Sequence, residues 1–228
     1  MILDLGLIDY EECYTTQRET VARRKLGEIG DTLMLAEHNN VFTVGRTGGK
    51  GNLLANEVYL RQKGIKVLNI DRGGDITFHG PGQLVVYPII ELKEKWRDLH
   101  KYMRNLEDVV IKFLKRYSVR SRREPGRTGV WASGKKVASI GIGVSNWVTY
   151  HGLSININPD LEFFDMIYPC GLRGVKMASL KSLCREDISI EEAKDAILSD
   201  FDSVFNSGGI YFVPTYSSPL RPSGRNPE

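Results

Sequence analysis

Cys170 has the surroundings of a nucleophile. It lies in Ile167-Tyr-Pro-Cys-Gly-Leu-Arg-Gly174, between a proline and a glycine. A structural cysteine is usually a small buried hydrophobe on a helix or strand face. A thiol in a Pro-Cys-Gly turn instead has room for a substrate carbonyl and for backbone N–H groups that would stabilise an oxyanion. A free thiol is only a few per cent ionised near neutral pH, so Cys170 is a nucleophile only if a base or cation lies beside it. Cys13 and Cys184 lack such surroundings and read as ordinary thiols. With three cysteines and no Cys-x-x-Cys pair, neither a zinc site nor a disulfide framework is expected, and a reducing compartment fits.

Three other clusters carry polar groups next to glycine. In Asp71-Arg-Gly-Gly-Asp-Ile-Thr-Phe-His-Gly-Pro-Gly-Gln83, two glycine turns enclose an imidazole. The glycines let backbone approach a ligand closely, and Arg72, Thr77, His79 and Gln83 supply polar groups around one cavity. The same stretch reads equally as a hairpin with two Gly-rich turns and a surface histidine. It matches neither a phosphate-binding Gly-x-x-x-x-Gly-Lys-Ser/Thr loop nor a Gly-x-Gly-x-x-Gly fingerprint, so nucleotide binding is not supported. Lys136 follows Lys135 and opens the apolar run Val137 to Val144. Turned inward, a desolvated lysine becomes a usable proton carrier; turned outward, both lysines are solvated turn residues. His151-Gly152 sets a second imidazole beside a glycine.

The elements that must position these groups are legible from pattern. Ile2 to Leu7, Thr32 to Glu37, Val41 to Val44, Lys66 to Asn69, Gln83 to Ile90, Gly129 to Ala132, Val137 to Val144 and Thr149 to Ile157 read as strands, rich in β-branched residues and bounded by Gly, Pro or Asn. A polar, Arg-rich helix is expected from Tyr10 to Leu26, ended by Gly27 and Gly30. A second begins near Asp98, with Leu99, Met103, Leu106, Val110, Phe113, Leu114 and Tyr117 at helical spacing. A third follows the capping-box match Ser189-Ile-Glu-Glu192, carries Ile190, Ala193, Ile197, Phe201 and Val204 on one face, and ends at Gly208-Gly209. Strands with inserted helices predict an α/β or α+β fold with one large mixed sheet. No internal repeat or linker breaks the chain. A single domain over residues 1–216 is expected, with a flexible tail over 217–228.

Composition adds exclusions. The 228 residues carry 31 Lys plus Arg against 28 Asp plus Glu, for a net charge of +3, with 41% hydrophobic residues. These values belong to a soluble globular chain and exclude disordered or collagen-like sequences. The richest apolar run, Leu84 to Leu92, is far short of the roughly 18 residues of a spanning helix, so no membrane association is expected. Met1 to Tyr10 has no basic region and contains Asp4 and Asp9, unlike a secretory or transit peptide, which places the protein in the cytoplasm. The basic run Lys112, Lys115, Arg116, Arg120, Arg122, Arg123 and Arg127 would attract an acidic carrier protein, or is simply a solvated helix face; the modest net charge and the absence of a recognition motif disfavour nucleic acid.

Taken together, Arg72-Gly-Gly-x-x-Thr-x-His-Gly-Pro-Gly-Gln83 with Tyr87-Pro88, then Lys136, then His151-Gly152, then Pro169-Cys170-Gly171 resemble the lipoyl(octanoyl) transferase family, over a span from Glu37-His38 to Ser179-Leu180. The resemblance implies a fold like the catalytic domain of biotin and lipoate protein ligases. It implies transfer of an octanoyl chain from acyl carrier protein to a lysine of lipoyl domains, those of 2-oxoacid dehydrogenase complexes and the glycine cleavage H protein, as the first step of endogenous lipoate synthesis. Neither a cofactor nor a metal is implied. Carried over by position, Cys170 forms an acyl-thioester and Lys136 is its proton-transfer partner. Arg72, Gly73, Gly74, Asp75, Ile76, Thr77, Phe78 and His79, with Ser139, Ile140, Gly141, Gly152, Leu153 and Ser154, line the acyl and phosphopantetheine pocket. His79 and His151 position substrate. The family's Thr-Ser stands here as Ala178-Ser179, so position 178 is given no catalytic role. An ATP-dependent lipoate-protein ligase and a non-catalytic acyl or carrier-protein binding module are the rival readings.

Overall fold

The computed structural model describes residues 1–92 and 97–207. The strands are β1 (Ile2–Ile8), β2 (Thr32–His38), β3 (Val41–Val44), β4 (Lys66–Asn69), β5 (Ile76–His79), β6 (Gln83–Ile89), β7 (Ser121–Glu124), β8 (Arg127–Ala132), β9 (Lys135–Ser145) and β10 (Val148–Asn156). The helices are α1 (Tyr10–Lys25), α2 (Glu57–Gln62), α3 (Leu99–Arg116), α4 (Leu180–Cys184) and α5 (Ile190–Ser207). The fold is mixed α/β, as the interleaving of patterns predicts.

Instead of one sheet, the strands form two. A seven-stranded sheet runs β1-β2-β6-β10-β9-β8-β7, and a three-stranded sheet runs β4-β3-β5. Pairing is antiparallel except for β1 with β2 and β3 with β4. The large sheet is covered on both faces, which explains why its central strands read as apolar runs without alternation. Leu33 and Leu35 of β2 and Leu84 and Val86 of β6 pack into a core with α3 and α5, while Met34, Ala36, Val85 and Tyr87 pack into a second core with Cys13 and Val21 of α1. The small sheet closes a third core, in which Phe42, Ile76 and Phe78 meet Phe164 and Ile167.

Helix starts follow the side-chain signals. The Asp9 carboxylate accepts from the Glu11 N–H, Asp98 accepts from Lys101 and the Ser189 hydroxyl accepts from Glu192, each satisfying an orphan first-turn donor. Helix α1 buries Tyr10, Cys13, Gln17, Thr20 and Val21 on a narrow stripe, which is why it reads as polar. The expected helix end at Gly208-Gly209, the last residues of the expected domain and the expected tail at 217–228 lie outside the described residues.

Four elements escape the sequence pattern: β5, β7, α2 and α4 are four to six residues long, too short to display a period. The hairpin reading of residues 71–88 is overturned. Strands β5 and β6 belong to different sheets, and His79, the last residue of β5, is buried. The basic run is largely neutralised at home. The Arg116 guanidinium makes a two-point contact with the fully buried Asp200 carboxylate of α5, at 2.6 and 2.8 Å, and Lys112 donates to Ser203 beside it. Arg123 binds Glu107 and Asp108, Arg122 binds Glu124 and Arg127 lies over the Trp131 ring. Lys112, Arg116 and Arg123 therefore fasten α3 to its neighbours. Among the described residues, no helix is long and apolar enough to cross a membrane.

Candidate active site

Lys136 is the second residue of β9, after a turn in which Ser133 and Gly134 both have positive φ. Its side chain is 1% exposed, so of the two readings of the Lys135-Lys136 pair the inward one holds for Lys136, while Lys135 is exposed. Room for the buried ammonium comes from Gly129 on β8. A Cβ there would stand 2.6 Å from Lys136 Cε and 3.2 Å from Nζ, and φ of +123° excludes other residues anyway. The Gly129 N–H donates to the buried Glu107 carboxylate at 3.0 Å, so α3 fixes the strand the lysine crosses. The Lys136 N–H donates to Lys176 and its carbonyl accepts from Ala178, both at 2.9 Å, which ties the segment downstream of Cys170 to β9.

Across a chain separation of 34 residues, the Lys136 ammonium donates to Cys170 Sγ at 2.9 Å. Cys170 sits at the centre of a single turn, Pro169–Gly171, in the left-handed region (φ 58°, ψ 26°), and is half-buried. For a non-glycine residue that conformation is sparsely populated and holds only where the surroundings enforce it. They do so on both sides. The Tyr168 N–H donates to Asn52, and Gly171 (φ 71°) packs flat on Asp75, where a Cβ would lie 2.6 Å from Oδ2. Asp75 in turn accepts from the Asn52 side chain at 2.7 Å.

Cys170 opens onto a narrow cavity at the seam between the two sheets, of about 450 Å³ counting its open mouth. Arg72, Gly74, Asp75, Thr77 and His79 line one side, and Ser139, Ile140, Gly141, Gly152, Leu153 and Ser154 line the other. Three residues expected in this lining are elsewhere. Ile76 and Phe78 alternate with Thr77 and His79 along β5, so they face the third core, and the Gly73 N–H is spent on the Ile142 carbonyl. Tyr10, Val85 and Tyr87 join the lining unforeseen, and His151, expected to position substrate, lies in it as well. Val85 and Tyr87 follow from period two along β6 once its register is known; Tyr10 carries no sequence signal.

Electrostatically the cavity is walled by buried polar groups, most of them paired with one another. The Arg72 guanidinium donates to the Thr43 carbonyl and hydroxyl at 2.6 and 2.9 Å, and burial lowers its affinity for a proton. His79 uses both ring nitrogens, one with Gln83 at 2.7 Å and one with Thr43 at 3.3 Å, and burial holds it well below the ordinary imidazole range. His38 pairs with the Tyr87 hydroxyl and the Ile8 carbonyl, and burial pushes it down to about 4. His151 contacts Asp71 through Nε2 at 2.8 Å and is also held near 4 by burial, against the opposing pull of Asp71. Asp71 itself is raised by burial but lowered further by hydrogen bonds from Tyr150, His151 and Tyr14, to about 2. Cys13 is buried and Cys184 donates to the Leu180 carbonyl; both lie outside the cavity. No cluster of three or more His, Cys, Asp or Glu among the described residues could hold a metal ion.

Comparison with known proteins agrees with this architecture. Residues 9–202 match the lipoyl protein ligase A/B catalytic domain. The octanoyltransferase of Rubrobacter xylanophilus is 48% identical over 206 residues, 90% of this chain and 92% of the relative. That of Syntrophobacter fumaroxidans is 42% identical over 196 residues, 86% of each chain. In fold, the chain is similar to lipoate-protein ligase A bound with ATP (TM-score 0.72, 15% identity, covering 90% of this chain and 85% of that one). It is also similar to the biotin protein ligase of Aquifex aeolicus in complex with biotin and ATP (TM-score 0.57, 15% identity, covering 90% and 70%). The fold, the family model and the similarity over most of both chains place this protein in the lipoyl protein ligase A/B catalytic family, among its octanoyltransferases.

Proposed function

We propose that the protein moves an octanoyl chain from acyl carrier protein to a lysine of a lipoyl domain through a thioester on Cys170. The observation that carries this reading is the 2.9 Å contact between the Lys136 ammonium and the Cys170 sulfur at the mouth of a cavity lined in part by Ile140, Val85 and Leu153. A thiolate paired with an ammonium attacks the donor thioester carbonyl. The carbon–sulfur bond to phosphopantetheine breaks, and Lys136 returns the proton to the departing sulfur. Exchange between thioesters is nearly balanced, whereas attack by a lysine amine gives an amide and runs downhill, with Cys170 leaving as thiolate to pair again with Lys136. Ser139 to Gly141 and Gly152 to Ser154 would hold the chain, with Arg72 and His79 fixing the wall opposite. The acceptors would be lipoyl domains of 2-oxoacid dehydrogenase complexes and of the glycine cleavage H protein. We place the reaction in the cytoplasm, in one catalytic domain over residues 1–216, a reading supported by three unpaired thiols.

The test is chemical. Incubation with octanoyl-carrier protein, without ATP, is expected to leave a hydroxylamine-sensitive mass increment of one octanoyl group on Cys170. Transfer that survives Cys170→Ala and demands ATP would make the protein a ligase, and binding without transfer would make it a carrier-binding module.

A further inference from the structure

His151 breaks the alternation of β10. Thr149 reaches Tyr102 of α3, and Leu153 and Ile155 belong to the core under α3 and α5, so period two would turn His151 the same way. Instead its φ is +53°, and the ring stacks on Tyr14 of α1 on the opposite face, at 5.4 Å between centroids. A non-glycine residue in this conformation within a strand is strained by on the order of 1–3 kcal/mol. The excursion brings Nε2 to 2.8 Å from Asp71 Oδ1 and leaves the ring in the cavity wall.

The tautomer follows from Asp71. Its two oxygens also accept from the Tyr14 and Tyr150 hydroxyls, at 2.9 and 2.7 Å, and Arg18 stands 3.6 Å away. Such a carboxylate is ionised and can only accept, so Nε2 carries the hydrogen and Nδ1 bears the lone pair. Nδ1 is buried and has no hydrogen-bond partner, although buried polar atoms are almost always paired. His151 lines the cavity that Cys170 also lines while Asp71 stands outside it, so of the ring's two nitrogens the one turned to Asp71 is spent and Nδ1 is left without a partner. His79, the other imidazole there, has both nitrogens occupied.

We propose that His151, oriented by Asp71, is the acceptor for the attacking lysine amine in the second half-reaction. The proposal rests on the Cys170 thioester reading and adds a residue to it. The amine nitrogen bonds to the thioester carbonyl carbon, and its N–H is held by Nδ1. The carbon–sulfur bond then breaks, Cys170 leaves as thiolate beside Lys136, and the proton displaced from nitrogen passes to Nδ1 and through solvent to the Lys136 amine, which gave up its own proton in the first half-reaction. Asp71 stabilises the transient imidazolium through Nε2.

The experiment isolates octanoyl-Cys170 enzyme by rapid desalting and follows its decay with two amines, the lipoyl domain and hydroxylamine. Hydroxylamine is unprotonated at neutral pH and serves as a control for general damage to the site. In His151→Gly, which relaxes the backbone and removes the ring, the ratio of lysine to hydroxylamine aminolysis is expected to fall about 100-fold, within the range for loss of a general base. In His151→Asn, which tolerates positive φ and keeps an oxygen near the Nδ1 position, the ratio is expected to fall only about 10-fold. Asp71→Asn provides a third variant with the ring retained, and a fall of the same kind supports the assignment. A ratio within threefold of the native protein's in the glycine variant overturns it, as does an equal slowing with both amines. Absence of any acyl-enzyme from the native protein would sink the thioester reading itself, a result distinct from either.

Discussion

At the scale of single residues, the site depends on whether Lys136 and Cys170 meet, and that meeting is controlled by side chains that are not there. Gly129→Ala places a methyl group 2.5 Å from the Ala138 carbonyl oxygen and 2.6 Å from Lys136 Cε, in a backbone conformation alanine rarely adopts, so both strand β9 and its lysine must shift. Octanoyl transfer is expected to fall by at least about 100-fold, as for loss of a positioned proton-transfer group. Circular dichroism should show the fold retained, and normal transfer by this variant would mean the lysine need not lie where it does. Lys136→Ala should slow acylation of Cys170 by a similar factor, read as the rate of mass increment with octanoyl-carrier protein. The chemistry of these residues was legible in sequence because Pro-Cys-Gly and the glycine-flanked imidazoles are unusual local patterns. The contribution of Gly129 was not, since a glycine's neighbour across a sheet is invisible until register is known. Nor was the displacement of Ile76 and Phe78 from the cavity, because Arg72 to His79 does not announce itself as a strand.

Among elements, the α3–α5 pair backs the large sheet on the face away from α1. Phe201 and Phe205 stack at 4.1 Å between centroids, and Phe205 meets Tyr102 edge-on. Phe201→Ala should destabilise the protein by about 3–5 kcal/mol through the cavity it leaves. Urea denaturation measures that loss, while the rate of transfer per folded molecule is expected to be unchanged because α5 does not touch the cavity. Long helices with capped starts and an apolar face were readable from the chain, and α1, α3 and α5 begin within a residue of the positions their patterns indicate. The division into two sheets was not. Hydrophobic periodicity reports which side of a strand is buried, not which partner buries it, and β3 looks like any other apolar segment.

For the molecule as a whole, acid sensitivity should be pronounced. His38, His79 and His151 are all buried neutral in the fold, with His38 and His151 near 4, whereas in the unfolded chain each titrates near 6.5. Unfolding therefore takes up protons between pH 6.5 and about 4. Stability is full above pH 6.5 and falls as the pH drops through that window, by at most about 1.4 kcal/mol per pH unit for each histidine. Below that window, protonation of Asp71, held near 2 in the fold, removes more. Urea midpoints measured across pH 4–7.5 should show this slope, and His38→Gln should flatten it by one proton; a flat profile would mean these rings are charged in the native state. None of this was visible beforehand, because four histidines in 228 residues carry no indication of burial.

The chain around the nucleophile is moored at two points. Upstream, Tyr168 is tied to Asn52; downstream, Lys176 and Ala178 are tied to the lysine that faces the thiol. Between those moorings Gly171 lies flat on Asp75, so the reactive centre is ready-made and the visiting cofactor arm must adapt to it. Loosening either mooring should thus blunt turnover while leaving the protein's melting behaviour almost untouched.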